Sequence, residues 1–322
     1  MVQHAALSVT PAVTPAAEAG ALNRSAALAS IAVALGLCLV KGWAARSTGS
    51  SAMLGSLADT VLDLIASLVT LAGVWVAAQP EDAKHRFGHG KAEALSAMFQ
   101  VTLISISALG LAVQSIGQYL AGARTAAATE GIAVSIAAMV ATLLLLGWQR
   151  HVIRRTGSLA IAADHVHYQS DLLVNAAVIA ALLLDQYAGI AGADPLLGLA
   201  IAVWLGWGAW RASERAIGQL MDSEWPQEKK DRFIAVLARH PELKGVHDLR
   251  TRTAGNRDFV QFHVWVDPNM SLGRAHRIMD EIEVRLAAEF PDTEILIHPE
   301  PEGLMDQEGL AAEELLPGDD QL

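Results

Sequence analysis

Residues 51–78 read SAMLGSLADTVLDLIASLVTLAGVWVAA, a stretch that is long and apolar enough for a helix to cross a lipid bilayer. Asp59 and Asp63 lie in its middle, four residues apart, so a helix places both on one face. A carboxylate inside a membrane costs about 2.5–3.5 kcal/mol on insertion scales, so the pair requires compensation. The compensation that we predict is a bound divalent cation.

A second apolar stretch, at about 159–184, repeats the arrangement with His167 and Asp171, again four residues apart. Two facing helices would then supply three carboxylates and one imidazole, a tetrahedral donor set that zinc accepts. The alternative is hydrogen bonding between helices, but that is normally made by neutral Ser, Thr and Asn. Asp164 and Asn175 extend the polar face and suggest a water-filled path. Because protons compete with a metal for such ligands, a proton gradient can drive metal release by antiport.

The composition narrows the class of protein. Of the 322 residues 52% are hydrophobic, which is typical of a membrane protein. The net charge of −11 comes largely from an acidic C-terminal tail, and no basic stripe is present to neutralise phosphates, so we expect no nucleic-acid partner. The single cysteine, Cys38, excludes an intrachain disulfide and a thiolate metal cluster. Because the paired-histidine zinc motif H-E-x-x-H is absent, we do not expect an enzyme.

Hydropathy divides the chain into a membrane part and a soluble part. We predict a disordered tail at 1–24, a six-helix transmembrane domain at 25–213, a cytoplasmic α+β metal-binding domain at 214–300 and an acidic disordered tail at 301–322. The six spans are predicted near residues 25–45, 51–78, 92–121, 129–149, 158–184 and 194–213. Basic residues cluster in the links after the second and fourth spans, so both termini are expected in the cytoplasm, with the chain in the bacterial inner membrane. Lys41, near the outer end of the first span, is expected to extend to the membrane interface.

The soluble part reads as helix, strand, strand, helix, strand. These αββαβ elements, at about 226–239, 246–253, 259–266, 271–290 and 294–298, predict a three-stranded sheet with helices on one face. Val260, Phe262, Val264 and Val266 alternate along the second strand and are expected to face the helices, with His263 on the opposite face.

Two further clusters contain metal-ligating residue types. In the link after the second span, glycines would let a tight loop bring together Asp82, His85 and His89, although histidines in loops are often simply solvated. The soluble domain carries four histidines and a carboxylate that could bridge two zinc ions, namely His247, His263, His276, His298 and Glu300. We therefore expect Zn²⁺ both as transported ion and as ligand of the soluble domain.

Four ordered motifs, LADTVLD, HRFGHGKAE, VHYQSD and HDLRTR, resemble those of the cation diffusion facilitator family, specifically its bacterial zinc exporters, over about residues 22–301. The resemblance implies a V-shaped homodimer with six membrane helices per protomer and a metallochaperone-like cytoplasmic domain that dimerises and binds two zinc ions. By resemblance, Asp59, Asp63, His167 and Asp171 form the transport site, Asp82, His85 and His89 the loop site, and the four histidines of the soluble domain the binuclear site. Lys91 and Asp222 match a charge pair near the dimer interface.

The chain departs from the family pattern after the last histidine of the soluble domain. Glu300 stands where an aspartate is usual, and Pro299 before it removes a backbone donor, so one or two bound metals both remain open. The function predicted is export of zinc, and also cadmium, in exchange for protons. The alternatives are a membrane metal sensor or an exporter mainly of iron(II), cobalt or manganese.

Overall fold

The structure is a computed structural model that describes residues 15–48, 51–121, 132–188, 193–243 and 245–303. Its long helices are α1 (Pro15–Thr48), α2 (Ser51–Ala77), α3 (Ala92–Ala121), α4 (Ile132–Thr156), α5 (Leu159–Ala188) and α6 (Ala193–Leu220). They are followed by α7 (Gln227–Leu237), β1 (Val246–Ala254), β2 (Arg257–Val266), α8 (Leu272–Glu289) and β3 (Thr293–Pro301). The chain thus has a helical part and a small C-terminal part with a mixed sheet.

Five of the described helices, α1 to α4 and α6, are long and apolar enough to cross a membrane. The sequence predicted six spans; the remaining long helix, α5, carries Asp164, His165, His167 and Asp171 in its first half, and several side chains of its second half lie outside the described residues.

The first helix begins earlier than predicted. It starts at Pro15, so the expectation of disorder is wrong for residues 15–24. The segment is rich in alanine, which has the highest helix propensity, and proline is favoured at the first position of a helix. Residues 1–14 and 304–322, which hold the rest of the two predicted tails, lie outside the described residues.

The helices pack so that α5 is surrounded. It contacts α2, α3, α4 and α6, while the most extensive contacts are between α3 and α6 and between α1 and α2. Small residues allow close approach at two points, since a Cβ on Gly73 would overlap Ser96 and one on Gly198 would overlap Ser115. A polar side chain on α5 is therefore presented to neighbouring helices.

The C-terminal sheet has the order β1-β2-β3, with β1 antiparallel and β3 parallel to β2. The hydrophobic alternation along β2 has the predicted effect, because Val260, Phe262, Val264 and Val266 are all buried in one core with α7 and α8. The hairpin between β1 and β2 turns at Gly255, whose φ of +63° favours glycine. The opposite face of the sheet carries His263 together with the aromatic side chains of Phe259 and Trp265.

Candidate metal centres

Three groups of side chains each bring their ligand atoms within 4.8 Å of one another in the described part of the chain. The groups are Asp63, His167 and Asp171 among the long helices, Asp82, His85 and His89 in the loop after α2, and His247, His263 and Glu300 on the C-terminal sheet. Each corresponds to one of the three clusters found in the sequence.

The helical group joins α2 to α5. His167 Nε2 lies 3.0 Å from Asp63 Oδ1 and 3.9 Å from Asp171 Oδ2. The imidazole is only 7% exposed, so it has little contact with water, and the two carboxylates are the polar groups beside it. One imidazole nitrogen and two carboxylates at this spacing can converge on a divalent cation.

Asp59, the fourth predicted ligand, is not a member of this close group. It lies one turn before Asp63 on α2, and four residues correspond to about 6 Å along a helix axis. Asn175 does not join the group either, since its amide donates to the backbone oxygen of Asp171 at 2.7 Å.

Tyr168 supports the helical group from the side. Its ring makes an edge contact with the ring of His167, with 5.7 Å between centroids. Its hydroxyl lies 2.8 Å from Ser67 Oγ on α2 and donates to the backbone oxygen of Ser30 on α1 at 3.2 Å. These contacts fix the rotation of α5, and with it the direction of His167.

Asp164 lies at the centre of a hydrogen-bond network that links five helices. Its carboxylate accepts from Ser30 Oγ at 2.6 Å, Gln149 Nε2 at 2.8 Å and Gln100 Nε2 at 3.0 Å, and Gln100 also donates to Thr70 Oγ1 at 2.9 Å. The sequence suggested a water-filled path here. Instead Asp164 is fully buried and is satisfied by side chains from α1, α3 and α4.

A second buried carboxylate, Glu93, lies at the start of α3. It accepts from Asn23 Nδ2 at 3.0 Å and from Ser158 Oγ at 2.6 Å, and it also bonds to the first backbone N–H groups of α5. Sequence reasoning missed both networks. The available signal was the presence of neutral polar residues such as Gln100 and Gln149 within apolar spans, where they must find partners.

The loop group lies on the surface next to the long helices. The backbone N–H groups of His85 and Lys84 donate to Asp82 Oδ1 at 2.6 and 2.8 Å and lower the pKa of this carboxyl to about 2. His89 Nε2 lies 3.1 Å from His85 Nδ1 and 3.4 Å from Asp82 Oδ2. Gly88, with φ at +78°, makes the turn that brings the two histidines together. The three side chains could therefore hold one cation, with a carboxylate that the backbone donors keep in its ionised form near neutral pH.

The same loop is attached to the C-terminal sheet. Phe87 packs edge-on against Phe259 of β2, with 5.6 Å between centroids, and the guanidinium of Arg252 lies over both rings. Gly90 is pressed against the backbone of Ala254, where a Cβ would overlap the carbonyl group. Beside these contacts, Lys91 Nζ pairs with Asp222 Oδ1 at 2.9 Å and Arg257 pairs with Glu81.

The sheet group arises from strand register. His247 of β1 is paired with His263 of β2, which is paired with His298 of β3, so the three histidines form one row across the sheet. Glu300, two residues after His298, points to the same face. Its Oε2 lies 3.1 Å from His247 Nε2, and its Oε1 lies 2.8 Å from His263 Nδ1 and 3.7 Å from His298 Nε2.

His298 and His276, the other two predicted ligands of this domain, lie outside the sheet group. His298 is 64% exposed, and its ring lies at a tilt to that of His263, with 4.8 Å between centroids, without entering the close group. His276, on α8, is 75% exposed and pairs with Asp280. Pro299 is accommodated because β3 is an edge strand, which does not need every backbone donor. Glu300 therefore reaches the histidines despite the proline.

The donor set of the sheet group fits zinc. Imidazole nitrogens and a carboxylate are ordinary zinc ligands, and the buried Nδ1 of His247 has no hydrogen-bond partner among the described residues. Asp248, which belongs to no spacing pattern of the sequence, adds a nearby charge. It adopts φ of 47° at a bulge in β1, bonds to Arg250 Nε at 3.0 Å and lies 3.8 Å from His263 Nε2.

Comparison with known proteins identifies the family of the chain. Residues 27–221 match the family described as the cation efflux transmembrane domain, and residues 225–302 match the cytoplasmic domain of cation efflux proteins. The Cation-efflux pump FieF of Cronobacter sakazakii is 40% identical over 282 residues, which cover 88% of this chain and 94% of that protein. The protein of the same name from Serratia proteamaculans is 41% identical over 280 residues, covering 87% and 93% respectively.

Among solved structures, the metal-bound C-terminal domain of the CzcD transporter from Thermotoga maritima is 29% identical to this chain, with a TM-score of 0.23. It covers 26% of this chain and 100% of that domain. The family match over more than half of the chain and the full-length relatives confirm the resemblance seen in the sequence motifs. The chain belongs to the cation efflux family, the cation diffusion facilitators, and is a bacterial integral membrane protein of that family.

Proposed function

We propose that the chain exports zinc, and also cadmium, from the cytoplasm in exchange for protons. The observation that carries this proposal is the approach of Asp63, His167 and Asp171 to one another between α2 and α5. Ionisable groups inside a membrane are costly and usually mark an ion pathway. An imidazole with carboxylates suits zinc and other late transition metals better than magnesium or calcium.

Proton exchange follows from the chemistry of the ligands. A carboxylate or imidazole must be free of its proton to bind a metal, so metal and protons compete for Asp63, His167 and Asp171. Asp59, one turn away on α2, is positioned to act as the fourth ligand if the two helices shift along each other. In this proposal α5 crosses the bilayer as the sixth span, within a membrane domain that covers residues 25–213.

The surface groups have separate roles in this proposal. Asp82, His85 and His89 collect metal ions at the cytoplasmic side, and the domain at 214–300 binds zinc through His247, His263 and Glu300. Lys91 and Asp222 join the two parts of the protomer at 2.9 Å. The protein acts as a homodimer through its cytoplasmic domain, in the bacterial inner membrane, with both termini in the cytoplasm.

The proposal is tested with the purified protein in lipid vesicles. Zinc flux is measured with and without a pH gradient, and cadmium, iron(II), cobalt and manganese are compared at matched free concentrations. We expect zinc and cadmium fluxes that increase when protons flow in the opposite direction. Flux that ignores the pH gradient would contradict antiport, preference for another metal would contradict the zinc assignment, and no flux of any metal would favour a sensor.

A further inference from the structure

The sequence suggested that Lys41 of α1 extends to the membrane interface. In the structure its side chain turns to α2 instead. Its ammonium group donates to Thr60 Oγ1 at 2.7 Å and to the backbone oxygen of Ser56 at 3.4 Å, both on α2. Thr60 is buried, with 1% exposure. The charged end of Lys41 thus lies between two helices of the bundle.

The position of this ammonium group relates it to the helical metal group. Thr60 directly follows Asp59 and precedes Asp63 by one turn, so Lys41 is bonded to the segment of α2 that presents both carboxylates. A cation is therefore fixed beside the side chains proposed to bind a divalent metal.

The role of Lys41 follows from the sum of the charges around the bound metal. Ionised Asp59, Asp63 and Asp171 together carry three negative charges, and a divalent metal with neutral His167 offsets two of them. Lys41 offsets the third, so the metal-loaded group is neutral as a whole. Without the metal the group carries two negative charges when Lys41 is present and three when it is not, and uncompensated charge is costly in the low dielectric of a membrane, so Lys41 reduces the cost of the empty state.

We propose that Lys41 is the fixed counter-charge of the transport site and limits how tightly the site holds its metal. Without it the site would carry an excess negative charge, bind a divalent cation more tightly and release it more slowly. Lys41 is a positioning residue in this scheme, since it acts on the metal through its charge and does not bind it. The inference rests on the proposed transport function.

The test uses the full-length protein in vesicles, with Zn²⁺ as the probe. Lys41→Met removes the charge and keeps the length of the side chain, Lys41→Gln removes the charge but can still bond to Thr60, and Lys41→Arg keeps the charge. We expect the KM for zinc to fall roughly tenfold in the Met and Gln variants, because a Coulomb repulsion of the metal is lost, with a fall in the maximal rate. The Arg variant should stay near the parent values.

Thr60→Val separates charge from structure, because it removes the hydrogen bond and leaves the ammonium group. If Lys41 only held α1 to α2, Thr60→Val would reproduce the Lys41→Met result, and the KM would rise in both. That outcome, or an unchanged KM in both charge-removed variants of an active parent, would overturn the role of Lys41. A parent protein that transported no zinc would instead overturn the proposed function itself.

Discussion

His167 Nε2 lies 3.0 Å from Asp63 Oδ1, although 104 positions separate the two residues in the chain. The contact joins α5 to α2, and each helix contributes a further carboxylate one turn away, Asp171 and Asp59 respectively. Any sliding or rotation of one helix against the other changes the distances between these groups. A metal site built in this way can be opened and closed by helix movement.

The first prediction concerns metal selectivity. His167→Asp replaces the imidazole by a carboxylate and leaves only hard oxygen donors, which manganese accepts more readily than zinc does. We expect zinc and cadmium transport to fall and the manganese-to-zinc ratio to rise. Parallel uptake of the three metals into vesicles measures this, with the exposed His151→Asp as the matched control. An unchanged ratio would place selectivity elsewhere, the loop group being the first alternative.

The second prediction concerns zinc binding by the cytoplasmic sheet. A ligand that binds the folded state stabilises it, by about 2.7 kcal/mol at a free concentration of roughly 100 times Kd. Zinc should therefore raise the melting temperature of this domain in the full-length protein. His263→Ala should remove most of that increase, because His263 is the central member of the histidine row. His151→Ala, outside the three groups, serves as the control, and a domain that melts identically with and without zinc would refute the sheet site.

The third prediction concerns Asp164. Asp164→Ala would remove the acceptor that the buried side chains of Ser30, Gln100 and Gln149 share; each keeps one other acceptor, and each lost hydrogen bond costs about 0.5–1.5 kcal/mol. We expect a clear loss of thermal stability in detergent, together with weaker metal transport because α5 is no longer held in register. Glu214→Gln, at an exposed position on α6, should leave both unchanged. Equal stability of the Asp164→Ala variant and the parent would show that the network is not needed.

The fourth prediction concerns the attachment of the loop to the cytoplasmic sheet. Gly90→Ala would place a methyl group on the carbonyl of Ala254, so the loop must move away from the β1–β2 hairpin. Hydrogen exchange in that hairpin should accelerate. Gly110→Ala on α3, where the added methyl meets open space, is the matched control. Unchanged exchange in the hairpin would mean that the loop contact contributes nothing to its stability.

Much of this molecule could be predicted from its sequence because periodicity is a local property. The hydrophobic alternation along β2 identified the buried face of the sheet, and the four-residue spacing of His167 and Asp171 placed both on one side of α5. The row of three histidines could not be derived in the same way. It depends on the register of β1 and β3 against β2, and pairing partners far apart in sequence leave no local pattern.

Neither the direction of the Lys41 side chain nor the hydrogen-bond partners of Asp164 could be predicted from the sequence. A lysine near a span end can extend to the interface or turn inward, and the choice depends on whether a neighbouring helix offers an acceptor such as Thr60. From the sequence, Asp164 appeared to need water as its hydrogen-bond partner. Its actual partners come from three other helices, so the sequence of α5 does not reveal them. Such contacts follow from helix packing, which single-span patterns do not specify.

The most direct test of the account is zinc flux through the Asp171→Asn variant in vesicles under an imposed pH gradient. The substitution removes one anionic ligand with little change in volume, so the protein should fold as the parent does and yet carry almost no zinc. Asp231→Asn, at an exposed position on α7, is the matched control and should transport at the parent rate. Flux near the parent level in a correctly folded Asp171→Asn protein would contradict the assignment of Asp63, His167 and Asp171 as the transport site.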